Sequence, residues 1–517
     1  MSHLTPWEIP DRENRVGVLD IGSNSVRLVV FEGGRRMPIP IFNEKALCAL
    51  GADLRETGRL SETGRVSAIV NIGRFTEIAR EMELSRLDVL ATAAVREAEN
   101  GVDFAQELQR RFGLHVQVLS GDEEAKLSAQ GVLSAFPGAD GVMGDLGGGS
   151  LEMVDISAGN LSHQATLPLG LLRLGELTNR NRADLEARID GYLGTLHWLG
   201  RLYERPIYAV GGAWRSLARA HMADNKYPLE VIHGYEINGE QALDYLDQAS
   251  GARKNQLQTI PGVATRRSAS VSMAALILSR VMRLGRASGL KFSAFGLREG
   301  CLYDQLPENE KSQDPLLASC SMIAEKSGRF PLAPELVERW IRGFLPNLSA
   351  RDARLVSAVA ILSDLAWAEH PRYRGEHAFL KVLRLPVVGI SHEERVFVAL
   401  VVLARYTGAT KLQGAAAAAG LISQERRGTA VKIGLALRLG LTLCGGVGRI
   451  LAKVEVRPNY DWVSIVYPND MVAAHGESVG RRMNELSQAL GIPVVMQPSF
   501  PPSESDDGQT GEGEVKG

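Results

Sequence analysis

Apolar residues along the chain fall in runs that are separated by short polar turns. The first clear case is residues 16–34, VGVLDIGSNSVRLVVFEGG, where a turn containing Asp20, Gly22 and Ser23 separates two apolar runs. Residues 140–159, DGVMGDLGGGSLEMVDISAG, repeat this pattern without a gap, with Asp145 at the position of Asp20. Each stretch predicts a strand, a tight turn and a second strand. The repetition therefore predicts two halves of similar design.

Other patterns extend this division of the chain. Helical apolar spacing from Val66 to Met82 predicts a helix, and the runs LDVLAT and LHVQVLS predict short strands after it. In the second half, PIYAVGGAWRSLARAH reads as a strand that continues through two glycines into a helix. Amphipathic or Ala-rich helices then dominate until about residue 445, and strand-like runs return after about residue 450. These patterns predict an α/β protein with domains at 1–137, 138–307, 308–447 and 448–500, followed by a disordered tail at 501–517.

Composition excludes several classes of function. The chain has 517 residues, a formal net charge of −2 and a pI of about 6.6, so it lacks the basic field of nucleic-acid binders. Its four cysteines show no CxxC spacing, which is typical of reduced thiols in a cytoplasmic protein. The polar first residues and the absence of a long apolar run predict neither a leader nor a membrane span. We expect a cytoplasmic homodimer that binds neither nucleic acid nor membrane.

The chemistry of the two turns indicates an anion site. Glycines and small hydroxyl residues allow several backbone N–H groups to converge on one point. Asp20 and Asp145 at the heads of the turns would repel an anion directly, so they indicate a bridging divalent metal or a polarised water. The alternative is two ordinary hairpins with glycine turns. The repetition favours a phosphate clamp.

Charged residues between the turns are further candidates. Arg96 could bind an anion as a planar fork, although pairing with the nearby Glu97 or Glu99 is the simpler interpretation. Ser120 and Glu123 have the spacing of a capping box. That pattern leaves Glu124 without a capping role, so its carboxylate could accept a proton from an attacking water. Pairing with Lys126 is an equally open alternative.

Seven motifs in order resemble the exopolyphosphatase and guanosine pentaphosphate phosphatase (Ppx/GppA) family. They are VLDIGSNSVRLVV, ATAAVREA, SGDEEAKL, GDLGGGSLEMV, LPLGLLRL, AVGGAWRSLA and GLREGCLYD. The resemblance covers about the first 305 residues densely and the helical part more loosely. It implies two actin-like, RNase H-like domains with an interdomain cleft, then a helical HD-like domain and a small C-terminal α+β unit.

The resemblance also implies roles for individual residues. Glu124 takes the position of the catalytic base, and Asp145 and Glu152 take those of the metal-associated acidic residues, with Asp20 as a further metal candidate. We expect Mg²⁺ or another divalent cation as cofactor. The phosphate-binding positions are Gly22, Ser23, Asn24, Arg27, Arg96, Gly147, Gly148, Gly149, Ser150, Gly211 and Gly212. The last two match a loop that binds adenosine in actin-like kinases, and here we expect them to line the cleft.

Three features depart from the family or stay open. Ala269 replaces an expected acidic residue, and Ser363–Asp364 replaces the His–Asp pair of HD metal sites. We therefore expect no second metal centre. Basic residues of the helical region could form a track for a long polyanion, although a solvated face is the commoner cause of such a run; they are Arg372, Arg374, Lys381, Arg384, Lys411, Arg426, Arg427 and Lys432.

The sequence predicts a metal-dependent exopolyphosphatase acting on inorganic polyphosphate. A guanosine pentaphosphate phosphohydrolase, with guanosine penta- or tetraphosphate as ligand, is the alternative within the same chemistry. A sensor that binds polyphosphate or guanosine phosphates without hydrolysing them is the alternative of another class.

Overall fold

The computed structural model describes residues 15–32, 36–175, 181–251, 268–325, 332–408, 415–474 and 476–499. The tail at 501–517 and Lys411 lie outside these ranges, as does the side chain of Ala269. The chain forms two compact units. The first comprises residues 1–319 and 386–392, and the second comprises residues 320–385 and 393–517. No helix in the described part of the chain is both long enough and apolar enough to cross a membrane.

The first lobe of the first unit is built on a five-stranded sheet with the order β3-β2-β1-β4-β5. Strands β1 to β3 run antiparallel, and β4 and β5 run parallel to β1. The strands are β1 Arg15–Ile21, β2 Ser25–Glu32, β3 Ile39–Leu47, β4 Arg86–Ala91 and β5 Val116–Val118. The helices are α1 Leu54–Thr57, α2 Glu62–Glu81, α3 Ala93–Glu97, α4 Gly101–Phe112 and α5 Gly121–Ala135.

The second lobe repeats this design with one added edge strand. Its sheet has the order β10-β11-β9-β6-β7-β8, so that β8-β7-β6-β9-β11 matches the first sheet strand for strand. The strands are β6 Gly141–Leu146, β7 Leu151–Ser157, β8 Asn160–Leu167, β9 Pro206–Val210, β10 Glu236–Asn238 and β11 Gly289–Phe292. The helices are α6 Leu171–Gly175, α7 Arg182–Leu193, α8 Gly212–Asp224, α9 Gly239–Gly251, α10 Ser268–Gly285 and α11 Leu297–Asp304, with a 3₁₀ turn at Leu199–Leu202. The internal repeat predicted from the sequence is confirmed.

The last helix of each lobe packs on the sheet of the other lobe. Ala129 and Val132 of α5 lie in one apolar cluster with residues of β6, β7 and β9. Leu302 of α11 lies in a cluster with residues of β1, β2 and β4. The two helices cross so closely that a Cβ added to Gly300 would lie 1.7 Å from the carbonyl oxygen of Leu127. Glycine at this crossing therefore allows the two exchanged helices to touch through their backbones.

The remaining elements follow the second lobe. Helix α12 Glu308–Lys311 and the first residues of α13 Pro315–Glu325 belong to the first unit. The helices beyond are α14 Pro334–Phe344, α15 Ala350–Leu362, α16 Arg374–Arg384, α17 His392–Thr407, α18 Ala416–Ala419, α19 Gln424–Cys444, α20 Gly448–Leu451 and α21 Glu477–Leu490, with a 3₁₀ turn at Val472–Ala474. Strands β12 Glu455–Pro458, β13 Val463–Tyr467 and β14 Val494–Pro498 form a three-stranded sheet.

Candidate active site

The turns after β1 and β6 are each closed by the same kind of backbone hydrogen bond. The amide of Gly22 donates to the carbonyl of Ser25 at 3.0 Å, and the amide of Gly147 donates to the carbonyl of Ser150 at the same distance. Each bond closes a tight turn between two antiparallel strands, as the sequence predicted. The gapless alignment of the two stretches therefore reflects two turns that are closed by the same backbone hydrogen bond, one from each lobe.

The structure brings the two turns into contact. A Cβ added to Gly149 would lie 2.9 Å from the hydroxyl oxygen of Ser23 and 2.8 Å from the Cβ of Ala93, and one added to Gly148 would lie 3.3 Å from the Cβ of Ser23. Glycine is thus required where the second turn meets the first. Within the described residues, the amides of Ser23, Asn24, Gly148 and Gly149 donate to no main-chain carbonyl. Amides of this kind, free of a protein acceptor, can bind an anion.

Helix α5 begins beside these turns with the capping box that the sequence predicted. The amide of Glu123 donates to the Ser120 hydroxyl at 3.2 Å, and the Glu123 carboxylate accepts the Ser120 amide at 2.8 Å. The Glu123 side chain therefore caps the N-terminus of α5. Glu124, the next residue, faces another partner.

That partner is Arg96 of α3, which donates to the Glu124 carboxylate and to the carbonyl of Leu119, each at 2.8 Å. The alternative that Arg96 pairs with Glu97 or Glu99 was wrong: Glu97 instead pairs with Arg173. Glu99 in turn pairs with Arg59 at 3.6 Å. Pairing of Glu124 with Lys126 is also not seen, since Lys126 lies 3.4 Å from Asp304.

The environment of Glu124 changes its acidity. Burial raises the pKa of Glu124 to about 7, the negative charges of Asp145 and Asp20 add to the rise, and the contact with Arg96 opposes it. A carboxyl group with a pKa near neutral pH can both accept and release a proton under ordinary conditions. Glu124 thus has the acidity of a general base.

Two further carboxylates face each other across the second β-hairpin. Asp145 and Glu152 are directly paired in the register of β6 and β7, so both side chains lie on one face of the sheet. Asp145 accepts a hydrogen bond of 2.8 Å from Ser128, and burial raises its pKa. Burial also raises the pKa of Glu152 well above its ordinary value, as do the charges of Glu124 and Asp145. In the first lobe the equivalent pair is Asp20 and Arg27.

Two arginines complete the cluster, and neither was among the candidate residues predicted from the sequence. Arg298 of α11 lies 3.5 Å from Asp20, and its Nε is buried without a hydrogen-bond partner among the described residues. Arg215 of α8 donates to the carbonyl of Ala294 at 2.7 Å, and its charge opposes the rise that burial causes in the pKa of Asp145. Arg298 lies in GLREGCLYD and Arg215 lies in AVGGAWRSLA, two of the seven motifs that resemble the family. Their position in these motifs is the sequence signal that could have identified them as site residues.

The glycines of the β9–α8 loop differ from each other. Gly211 has φ of +106°, and a Cβ there would lie 2.6 Å from the carbonyl of Leu146 and 3.2 Å from a carboxylate oxygen of Asp145. A side chain is therefore excluded at Gly211 by both conformation and space. A Cβ at Gly212 would meet no atom within 4 Å among the described residues. The loop lies against the end of β6, beside Asp145.

The carboxylates can hold part of a metal site. Within the described ranges, no three His, Cys, Asp or Glu side chains form a metal-binding group. Oε1 of Glu152 is buried and has no hydrogen-bond partner there, so it is available to a ligand beside Asp145. Mg²⁺ is commonly held by one or two carboxylates, with phosphate oxygens and water completing its shell. Asp145 and Glu152 therefore fit the protein's share of a Mg²⁺ shell.

In the helical part, two of the basic candidates form ion pairs and a third donates to a backbone carbonyl. Arg426 lies 2.5 Å from Asp352, and Lys381 lies 3.0 Å from Glu369. Arg374 donates to the carbonyl of Glu369 at 2.9 Å. Local pairing of this kind reduces the charge that a polyanion would meet.

At the predicted position of the degraded His–Asp pair, Asp364 forms an ion pair with Arg405. The two side chains are 2.7 Å apart, and both are buried. The guanidinium group thus supplies the positive charge next to this carboxylate.

Comparison with known protein families identifies the family of this chain. The profile of the Ppx/GppA phosphatase family matches residues 28–309, more than half of the chain. The chain belongs to the Ppx/GppA phosphatase family. The resemblance recognised from the seven motifs is thereby confirmed. A second profile, described as the C-terminal region of exopolyphosphatase, matches residues 339–496.

Individual Ppx/GppA relatives are distant. Retrograde regulation protein 2 of Saccharomyces cerevisiae is 27% identical over 356 residues, or 62% of this chain. The alignment spans 58% of the yeast protein, which is less than two thirds of its length. Exopolyphosphatase 1 of Mycobacterium leprae is 28% identical over 308 residues, which cover 56% of this chain and 89% of that protein.

A solved structure supports the fold of the Ppx/GppA part. The crystal structure of an exopolyphosphatase from Cytophaga hutchinsonii is 21% identical and has a TM-score of 0.51. It covers 57% of this chain and 99% of that chain. The actin-like fold predicted for the two lobes is confirmed, whereas the HD-like character of the helical part stays a prediction.

Proposed function

We propose that this Ppx/GppA protein is an exopolyphosphatase, which hydrolyses the terminal phosphoanhydride of inorganic polyphosphate and releases orthophosphate. One observation carries the proposal. Two turns with unused backbone amides meet beside a carboxyl group, Glu124, whose pKa is raised to about 7. This arrangement supplies a phosphate site and a proton acceptor at the same place.

The terminal phosphoryl group would bind at the two turns. Hydrolysis needs its oxygens neutralised and a water held in line with the bond that breaks. The amides of Ser23, Asn24, Gly148 and Gly149 would hold the oxygens, and Arg96 and Arg298 would offset their charge. A Mg²⁺ ion at Asp145 and Glu152 would supply additional charge stabilisation for the phosphoanhydride when bound.

Glu124 would act on the water. Its carboxylate takes one proton as the water oxygen bonds to the terminal phosphorus, and the bond to the bridging oxygen breaks. Arg96 holds the carboxylate in place through its 2.8 Å contact. The products are orthophosphate and a chain one unit shorter, and no covalent intermediate on the protein is needed.

Two other functions would use the same site. Guanosine pentaphosphate presents a terminal phosphoanhydride with the same chemistry. The second function is binding of polyphosphate or guanosine phosphates without hydrolysis. The similarity to the yeast retrograde regulation protein 2, which is named as a regulator, favours this second function. The presence of both Glu124 and Asp145 favours hydrolysis instead.

The test is phosphate release from long polyphosphate, short polyphosphate and guanosine pentaphosphate, each with Mg²⁺ and the full-length protein. We expect the highest kcat/KM with polyphosphate. A preference for guanosine pentaphosphate would replace the proposed substrate. Tight binding of all three without phosphate release, in a protein with intact Glu124, would establish the sensor.

A further inference from the structure

A buried serine of α5 donates a hydrogen bond to one of the two candidate metal carboxylates. The hydroxyl of Ser128 lies 2.8 Å from Oδ2 of Asp145, and Ser128 is only 1% exposed. Glu124 precedes Ser128 by four positions on α5, so the two side chains lie on the same face of the helix, one turn apart. Helix α5 therefore presents the proposed base and a donor to Asp145 from one face.

The hydroxyl of Ser128 is used differently from those of other buried helix serines. Ser134 of α5, Ser216 of α8 and Ser319 of α13 each donate to a backbone carbonyl three or four positions earlier in their own helix. Donation of this kind is a common use of a hydroxyl inside a helix. Serine also has a lower helix propensity than alanine, so the helix itself gains nothing from Ser128. Its outward hydrogen bond thus indicates a role beyond the helix.

The two oxygens of the Asp145 carboxylate have different surroundings. Oδ2 accepts the hydroxyl of Ser128, whereas Oδ1 lies 3.2 Å from the position of a Cβ added to Gly211. A hydrogen bond to one oxygen restricts rotation of the carboxylate about its Cβ–Cγ bond. Carboxylates that bind metals are commonly oriented by hydrogen bonds of this kind.

We propose that Ser128 is a positioning residue, which holds the Asp145 carboxylate in the orientation that binds Mg²⁺ and ties it to the helix that carries Glu124. The inference rests on the proposed function, in which Asp145 and Glu152 hold the metal. Ser128 itself contacts neither the metal nor the substrate. Loss of its hydroxyl leaves Asp145 in place but lets the carboxylate rotate, so that the metal binds more weakly.

The experiment compares full-length Ser128→Ala with wild type. Alanine is smaller and a stronger helix former, so α5 is retained. The matched control is Ser134→Ala, which removes a buried hydroxyl from the same helix whose hydrogen bond ends on the carbonyl of Gly131. Binding of Mn²⁺ is measured by electron paramagnetic resonance, with the metal alone and with saturating orthophosphate. Phosphate release from short polyphosphate is then measured against Mg²⁺ concentration, and Tm is measured in EDTA.

We expect Ser128→Ala to raise both the Kd for Mn²⁺ and the Mg²⁺ concentration for half-maximal turnover about tenfold, the usual scale for a lost hydrogen bond to a metal ligand. Excess Mg²⁺ should restore most of kcat, and KM for polyphosphate should stay close to the wild-type value because the turns are unchanged. Ser134→Ala should lower Tm without changing the metal constants.

An unchanged Kd for Mn²⁺ in Ser128→Ala would overturn the inference, as would an equal rise in Ser134→Ala. A fall in Tm without a change in the metal constants would make Ser128 a structural residue only. Absence of Mn²⁺ binding to wild type under both conditions would also overturn it. The proposed function fails separately: wild type that binds Mn²⁺ but releases no phosphate from polyphosphate loses that function, while the effect of Ser128 on metal binding stands.

Discussion

Glu124→Gln tests the environment of the proposed base through stability as well as activity. The pKa of Glu124 is raised to about 7, against an ordinary value of 4.5. As pH rises from 4.5 to 7, the unfolded chain loses its proton before the folded protein does, so stability falls across this window. One pKa unit corresponds to about 1.4 kcal/mol, and the full penalty above pH 7 is about 3 kcal/mol.

Glutamine has the shape of the protonated acid and never ionises. In metal-free protein we expect Glu124→Gln to be more stable than wild type by about 1 kcal/mol at pH 5.5 and about 3 kcal/mol at pH 8. The first unit contains about 330 residues. For a unit of this size, a stabilisation of about 3 kcal/mol raises Tm by about 4 °C. Turnover should fall by about two to four orders of magnitude, the usual scale for a lost general base.

The assay is thermal unfolding of both proteins in EDTA between pH 5.5 and 8, beside phosphate release with Mg²⁺. Glu123→Gln is the matched control: it should weaken the capping box, lower Tm slightly at every pH and keep turnover. A stability difference that does not grow with pH would refute the proposed environment of Glu124. Loss of turnover in Glu123→Gln alone would show that the two neighbours are assigned the wrong way round.

Three further outcomes are expected. Asp145→Asn should be nearly inactive and EDTA should abolish wild-type turnover until Mg²⁺ is restored, whereas full activity in EDTA would remove the metal from the mechanism. Gly300→Ala should destabilise the first unit by about 3 kcal/mol or more in urea unfolding, because its Cβ would overlap the carbonyl of Leu127; a change below 1 kcal/mol would show that the helices separate easily. Asp364→Asn should cost the second unit about 3–5 kcal/mol by removing the carboxylate that pairs with the buried guanidinium of Arg405, with kcat on short polyphosphate unchanged; a lost kcat would give this ion pair a role in the reaction.

The sequence predicted the parts of the site that depend on local pattern. The capping box assigned Glu123 to the helix start and thereby left Glu124 for another role, because the Ser120 spacing is a local signal. The repeated turn predicted two equivalent strand–turn–strand units for the same reason.

Contacts between distant parts of the chain were not predictable in the same way. Arg298 meets Asp20 across 278 positions of sequence, and nothing local to Arg298 distinguishes it from a solvated helix arginine. The alternative pairing of Arg96 with Glu97 or Glu99 was wrong because these acidic residues are neighbours in sequence, whereas the acidic partner in the structure, Glu124, lies on α5. The packing of α5 and α11 on the sheet of the other lobe is likewise a contact between distant parts of the chain, which no local pattern specifies.

The exchange of α5 and α11 bears on how the protein came to have its site. The same packing would arise if two copies of one ancestral unit formed a dimer by swapping their last helices, with a two-fold axis passing between the two turns. Joining the copies in one chain makes that association independent of protein concentration. It also allows the sequence of each copy to change independently of the other. The position of Arg27 in one copy is Glu152 in the other, so a symmetric anion site would have become one with a cation on one side and a carboxylate on the other.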